Sequence, residues 1–214
     1  MNKLDTTLYL VTNSDDMKEE IFLSKIALAC EGGVTLVQLR EKELNGCDFY
    51  NLAVKVKRVT DRFGVPLIID DRADIALAVD AAGVHVGQAD LPVAAARAIM
   101  GNGKIVGATA KTVEQAQEAE DAGADYLGVG AMYPTKTKVV TVLTPVRTLL
   151  DIIGHVKIPV VAIGGLNASN LPLLYGSGAS GIAVVRAIME SKSPREVAEE
   201  LLTVTQTHII RRTE

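Results

Sequence analysis

Residues 34–42 read Val-Thr-Leu-Val-Gln-Leu-Arg-Glu-Lys. A short, nearly continuous apolar run from Val34 to Leu39 breaks into a charged tail, with Gln38, Arg40 and Lys42 spaced two apart. A run without apolar/polar alternation is what a parallel strand covered on both faces requires. Side chains alternate along extended chain, so Gln38, Arg40 and Lys42 leave the strand end on one side. Working outward, seven further runs have the same character: Leu8 to Val11, Pro66 to Ile69, Val84 to Val86, Lys104 to Gly107, Tyr126 to Val129, Pro159 to Ile163 and Gly181 to Val185. Their starts lie roughly 20 to 30 residues apart, the length of a strand-plus-helix unit.

Helical periodicity fills the intervals. Phe49, Leu52, Ala53, Val56, Val59 and Phe63 form one apolar stripe, with Lys55, Lys57, Arg58 and Asp61 mostly outside it. Thr112 followed by Gln115, and Ser193-Pro194-Arg195-Glu196, each match a capping box, the second with Pro at the first helical position. Eight strand-then-helix units predict a (β/α)₈ TIM barrel, formed as one domain over residues 1–214, in preference to an open doubly wound sheet.

Composition excludes several function classes. The 214 residues include 22 Lys plus Arg against 26 Asp plus Glu, a formal charge of −4. No overall positive field is present to hold nucleic acid or anionic lipid, so any anion site must be local. Aromatic residues are 4% with no Trp, too few for base-stacking platforms. Cys30 and Cys47 match no disulfide framework and no metal-ligand spacing, which predicts a reducing cytoplasm. The apolar run near the N-terminus is too short for a signal segment or a membrane span, so neither export nor anchoring is expected.

In a barrel of this kind the active site is built where the strands end. The residues expected on that rim are Gln38, Arg40 and Lys42 after the second strand, and Asp70, Asp71 and Arg72 after the third. Gln88 and Asp90 follow the fourth, Thr109 and Lys111 the fifth, Thr135 to Lys138 the sixth, Gly164-Gly165 the seventh and Arg186 the eighth. Arg offers a planar fork and Lys a compact charge, a pair suited to a diphosphate, although such a charge run can also be a solvated turn. Asp70, Asp71 and Asp90 would bring carboxylates together, and Mg²⁺ is commonly held by one or two carboxylates plus substrate phosphates. The alternative is that Asp71 pairs with Arg72 or caps the helix starting near Ala73.

Pro134-Thr135-Lys136-Thr137-Lys138 lies in the long irregular stretch 131–144, where a barrel would place a lid carrying ligand contacts. Gly164-Gly165 and Val184-Val185-Arg186 occupy the position where many barrels bind a phosphate through backbone N–H groups. The GxGxxG at residues 176–181 precedes a strand instead of following one, so it is not a dinucleotide fingerprint. His85 is left without a role, as are His155 and His208, which match no nucleophilic triad.

Taken in order, QLREK, HVGQAD, ADYLGVGAMYPTKTK, PVVAIGGLN and GIAVVRAI resemble the thiamine phosphate synthase family over nearly the whole chain. The resemblance implies a transferase whose partners are two small molecules, a pyrimidine diphosphate and a thiazole phosphate (or its carboxylated form), with Mg²⁺ as cofactor. It implies that Gln38, Arg40, Glu41, Lys42, Asp70, Thr109 and Lys138 meet the pyrimidine diphosphate and that Asp71 and Asp90 hold the metal. Thr135, Lys136, Thr137, Gly165, Val185 and Arg186 fall on the thiazole-phosphate side. Asp70, Thr109 and Arg186 stand where the family's commonest residues are Asn, Ser and Ser. Of these, Asp70 adds a carboxylate beside a diphosphate, which is repulsive unless a cation offsets it.

Three other readings compete, one of them a barrel isomerase or epimerase acting on a sugar phosphate, which would share the phosphate site after strands seven and eight but would not need a second phosphate grip. A thiazole tautomerase of the same fold would use a His just after strand five, where this chain has Lys111, and would leave Arg40 and Lys42 unexplained. A barrel that binds thiamine precursors without turnover is the non-enzymatic alternative.

Overall fold

The computed structural model describes residues 4–14, 17–134 and 142–210. Eight parallel strands close into a barrel in chain order. They are β1 (Leu8–Val11), β2 (Leu36–Leu39), β3 (Leu67–Asp70), β4 (Gly83–Val86), β5 (Ile105–Ala110), β6 (Tyr126–Gly130), β7 (Val160–Ile163) and β8 (Gly181–Val184). The helices outside are α1 (Glu19–Glu31), α2 (Gly46–Arg62), α3 (Ala73–Ala78), α4 (Val93–Met100), α5 (Val113–Asp121), α6 (Val146–His155), α7 (Arg186–Met189) and α8 (Pro194–Val204). None of the described helices is long and apolar enough to cross a membrane.

Two separate cores follow from the pleat. Inside the barrel, Tyr9, Val11, Leu36, Ile68, Tyr126, Val161 and Ala183 form one cluster. Their neighbours along each strand point outward and pack with the helices, as Leu8, Leu10, Val37 and Ile69 do against Phe22, Ile26, Phe49 and Val56. Fully burying such side chains contributes about 1.5–3 kcal/mol each. Tyr126 needs the missing side chain of Gly107, its register partner on β5. A Cβ there would lie 2.2 Å from the Tyr126 ring carbon Cζ.

Three expectations need correction. The seventh unit is not strand-then-helix: a four-residue 3₁₀ turn, Leu171–Leu174, stands in place of the helix. Pro172 inside the turn removes a backbone donor, and Gly176 and Gly178 beyond it take positive φ. Phe63 does not join the α2 stripe. The helix stops at Arg62 and Phe63 becomes its C-terminal cap, 42% exposed. Ser193 does precede Pro194 at the start of α8, but its side chain makes no capping bond. Thr112 does cap α5, accepting from the Gln115 N–H at 3.2 Å, while Gln115 Oε1 accepts from the Lys111 N–H.

Candidate active site

The C-terminal ends of the strands surround a cavity of about 510 Å³. Gln38, Arg40, Asp70, Thr109, Gly165, Val185 and Arg186, all expected at the rim, line it. Strand geometry explains the gathering: Asp70 pairs in register with His85, His85 with Gly107, and Thr109 with Gly128. Inward-facing positions of successive strands therefore stack at one height beneath the mouth.

Beside the cavity stands a cluster of charges. Asp70 is buried, with Arg40 Nε at 3.7 Å and Lys42 Nζ at 3.0 Å from its Oδ2. Lys42 also contacts Asp71. The repulsion expected of Asp70 is thus offset by two cations of this chain. Burial opposes the charge of Lys42, but hydrogen bonds and attraction from Asp71 and Asp70 outweigh it and raise its pKa. Asp71 is pushed up to about 6, first by burial and then by the Asp70 charge, against the pull of Lys42; the Asp90 carboxyl hydrogen-bonds to it and adds to the rise.

The structural alternative for Asp71 does not hold. Arg72 pairs with Asp74 instead, and α3 receives no side-chain cap. Asp71 takes a left-handed backbone, φ 60°, uncommon for a residue other than glycine, and its N–H donates to the His85 carbonyl at 2.8 Å. That turn aims its carboxyl at Lys42 and Asp90. Asp90 meanwhile accepts from the Gly87 N–H at 2.9 Å. Two facing carboxylates with one elevated pKa form a hard-oxygen donor pair suited to a divalent cation. Among the described residues no group of three or more His, Cys, Asp or Glu is placed to hold a metal, so further ligands would come from a bound molecule or water.

Across the mouth, Gly164 and Gly165 follow β7 with φ of 104° and 67°. A Cβ on Gly165 would sit 2.8 Å from the Pro134 carbonyl oxygen, so the loop closes tightly against the end of the β6 segment. Val185 caps α7, whose first residue, Arg186, is held by Glu190 at 2.5 Å. Glu41 lies apart from the cavity lining, its Oε2 accepting from the Ser14 hydroxyl at 2.9 Å. Thr135, Lys136, Thr137 and Lys138 fall outside the described residues. The ends of their loop are tied, with the Thr144 N–H donating to the Ala131 carbonyl at 2.8 Å.

Sequence reasoning missed Tyr9 and Tyr126 and left His85 unassigned. Tyr9 and His85 line the base of the cavity and Tyr126 lies buried behind them, the three in one hydrogen-bonded chain. Gln38 Nε2 donates to the Tyr9 hydroxyl at 2.6 Å, and the two tyrosine hydroxyls are 2.7 Å apart. His85 Nδ1 is 3.0 Å from the Tyr126 hydroxyl and its Nε2 is 3.0 Å from Thr109 Oγ1. Burial raises the pKa of both tyrosines. The signal available was a hydroxyl-bearing aromatic inside each of two apolar runs, at positions that alternation turns inward.

Comparison with known proteins agrees with this geometry. A family model described as thiamine monophosphate synthase matches residues 8–188. A thiamine-phosphate synthase of Methanobrevibacter smithii is 52% identical over 202 residues, covering 94% of this chain and 96% of the relative. Thiamine-phosphate synthase 2 of Streptococcus pneumoniae serotype 4 is 54% identical over 192 residues, covering 90% and 91%. The solved thiamine phosphate pyrophosphorylase of Pyrococcus furiosus superposes with a TM-score of 0.86 at 36% identity, over 95% of this chain and 97% of that one. Residue pattern and backbone thus converge from one end of the barrel to the other, and the chain belongs to the thiamine monophosphate synthase family.

Proposed function

We propose that the cavity joins 4-amino-2-methyl-5-hydroxymethylpyrimidine diphosphate to 4-methyl-5-(2-hydroxyethyl)thiazole phosphate, giving thiamine phosphate and releasing diphosphate. The observation that carries this is one cavity lined by Arg40 and Asp70 on its β2–β3 side, with Lys42 and Asp71 joined to them just outside it, and by Gly164, Gly165 and Arg186 on its β7–β8 side, in a chain of this family.

The bond from the pyrimidine methylene to the diphosphate oxygen breaks with its electron pair leaving on the diphosphate. The pyrimidine amino group donates electron density to the cation that remains, and the thiazole nitrogen lone pair forms the new carbon–nitrogen bond. No strong general base is needed. The protein's work is to hold two anions at bonding distance and to meet the charge that develops on the leaving group. Arg40 and Lys42, with Lys138, take the diphosphate oxygens; Gln38 and Thr109 orient the ring. Backbone groups around Gly165 and Val185, with Arg186, Thr135, Lys136 and Thr137, take the thiazole phosphate. Asp71 and Asp90 would hold Mg²⁺, which when bound neutralises diphosphate charge. The free thiols of Cys30 and Cys47 are in keeping with a reducing cytoplasm.

Purified protein incubated with both substrates should form thiamine phosphate and diphosphate only when Mg²⁺ is added. Binding of either precursor without product would favour the non-catalytic barrel, and isomerisation of the thiazole alone would favour a tautomerase.

A further inference from the structure

We infer that the buried chain Gln38–Tyr9–Tyr126–His85–Thr109 is a one-way hydrogen-bond relay that decides which end of it offers the cavity a lone pair and which a proton. Resting on the functional reading above, it is the element that selects an aminopyrimidine over its oxo counterpart. Tyr9, Tyr126 and His85 are then positioning residues, acting through Gln38 and Thr109.

Proton counting sets the direction. A tyrosine hydroxyl and a neutral imidazole have one proton each to donate. Tyr9 accepts from Gln38 Nε2, so its own proton goes to the Tyr126 hydroxyl. Tyr126 must then donate onward to His85 Nδ1, which leaves the imidazole proton on Nε2, directed at Thr109 Oγ1. Thr109 accepts and keeps its own proton for the cavity. At the other end the Gln38 amide nitrogen is turned into the relay, so its carbonyl oxygen is the atom left for the cavity. The amino group of the pyrimidine offers protons to Gln38 Oε1, and a ring nitrogen accepts from Thr109. An oxo group at the same carbon reverses that pattern by accepting at the exocyclic atom and placing a proton on the ring.

Packing keeps the relay from re-forming in another arrangement. Tyr9 is 2% and Tyr126 0% exposed. The Tyr9 and Tyr126 rings meet edge-on at 73° with centroids 5.8 Å apart, and His85 lies 5.5 Å from Tyr126. Gly107 leaves space for the Tyr126 ring, and a Cβ on Gly128 would press on His85 Cε1 at 3.4 Å. In such dry surroundings a mismatched donor or acceptor has no water to satisfy it.

Two measurements decide the point. Long-range ¹H–¹⁵N correlation spectra of the ¹⁵N-histidine-labelled protein should show His85 with its proton on Nε2; a proton on Nδ1 would overturn the relay whatever the cavity binds. Steady-state kinetics of Tyr126→Phe should show KM for the pyrimidine diphosphate raised about 10-fold, the loss of roughly one buried hydrogen bond. KM for thiazole phosphate should stay within about twofold, because that substrate does not touch the relay. Preference for the 4-amino over the 4-oxo pyrimidine diphosphate should fall by about 10-fold. Unchanged preference, or an equal rise in both KM values, would overturn the positioning role. Tyr9→Phe serves the same comparison if Tyr126→Phe does not fold. Wild-type protein that makes no thiamine phosphate would overturn the functional reading instead, with the His85 tautomer still deciding the relay.

Discussion

Asp71 carries the main electrostatic tension of the site. Its backbone is left-handed, its carboxyl faces another, and burial with Asp70 lifts it to about 6. Strain and charge crowding of this kind cluster where ligands are held. Asp74, only three residues on, spends its charge on exposed Arg72, whose hydrogen bond lowers the Asp74 pKa. The pair makes an internal control. Asp71→Asn should lower kcat by about 10²-fold and weaken the Mg²⁺ dependence, the scale of losing one charge-stabilising group. Asp74→Asn should leave kcat within about twofold, since exposed ion pairs contribute little. Equal activity of the two variants in a product assay would contradict the role of Asp71. The crowding of Asp70, Asp71 and Asp90 was legible in the sequence, but the direction of Asp71 was not: the chain could have turned it toward Arg72, and a positive φ at a non-glycine residue leaves no compositional mark.

At the level of the element, what the sequence made legible depended on how many residues carried each signal. All eight strands were readable because each buried wall needs a run of apolar side chains. Their limits were less so: the run from Val34 begins pairing only at Leu36, and the run from Lys104 extends to Ala110. Single-residue signals divided. Thr112 and Ser193 sit at equivalent positions before a helix, yet only Thr112 bonds into its first turn. A backbone at Ser193 with ψ of 66° departs from the extended geometry that Thr112 adopts at ψ 165°. Thermal or urea unfolding should show Thr112→Ala costing about 1 kcal/mol, the usual worth of a side-chain cap. Ser193→Ala should be close to neutral. A reversal of that order would contradict the capping geometry. The 3₁₀ crossover before β8 escaped for a similar reason, because one proline and two glycines among apolar residues can end a helix or replace it.

For the molecule as a whole, burial of ionisable groups predicts how stability responds to alkali. Cys30 is raised from 9.0 to about 12 by burial, and Tyr9 and Tyr126 are raised above their ordinary value of 10.0. Above pH 9 to 10 the unfolded chain gives up these protons while the folded one keeps them. Their contribution is therefore complete below pH 9 and is lost as the pH climbs toward the folded values, at up to about 1.4 kcal/mol per pH unit for each group. Melting temperatures recorded from pH 8 to 11 should fall on the alkaline side, and less steeply in Cys30→Ala than in wild type. A flat profile would contradict the buried placement. The same closed barrel that hides these groups brings Arg40, Asp70 and Thr109 onto one cavity from strands far apart in sequence. Gln38 and Arg40 could be placed there from periodicity alone, with Lys42 beside the cavity on Asp70 and Asp71, whereas the tyrosine–histidine relay required β1, β2, β4, β5 and β6 to close into one barrel.

The most direct measurement is a crystal structure of the protein grown with thiamine phosphate, diphosphate and Mg²⁺. Both products should occupy the one cavity, the diphosphate against Arg40 and Lys42 with the metal on Asp71 and Asp90, and the thiamine phosphate's phosphoryl group at Gly165 and Arg186. Diphosphate bound elsewhere, or a cavity that admits one product only by excluding the other, would contradict the account.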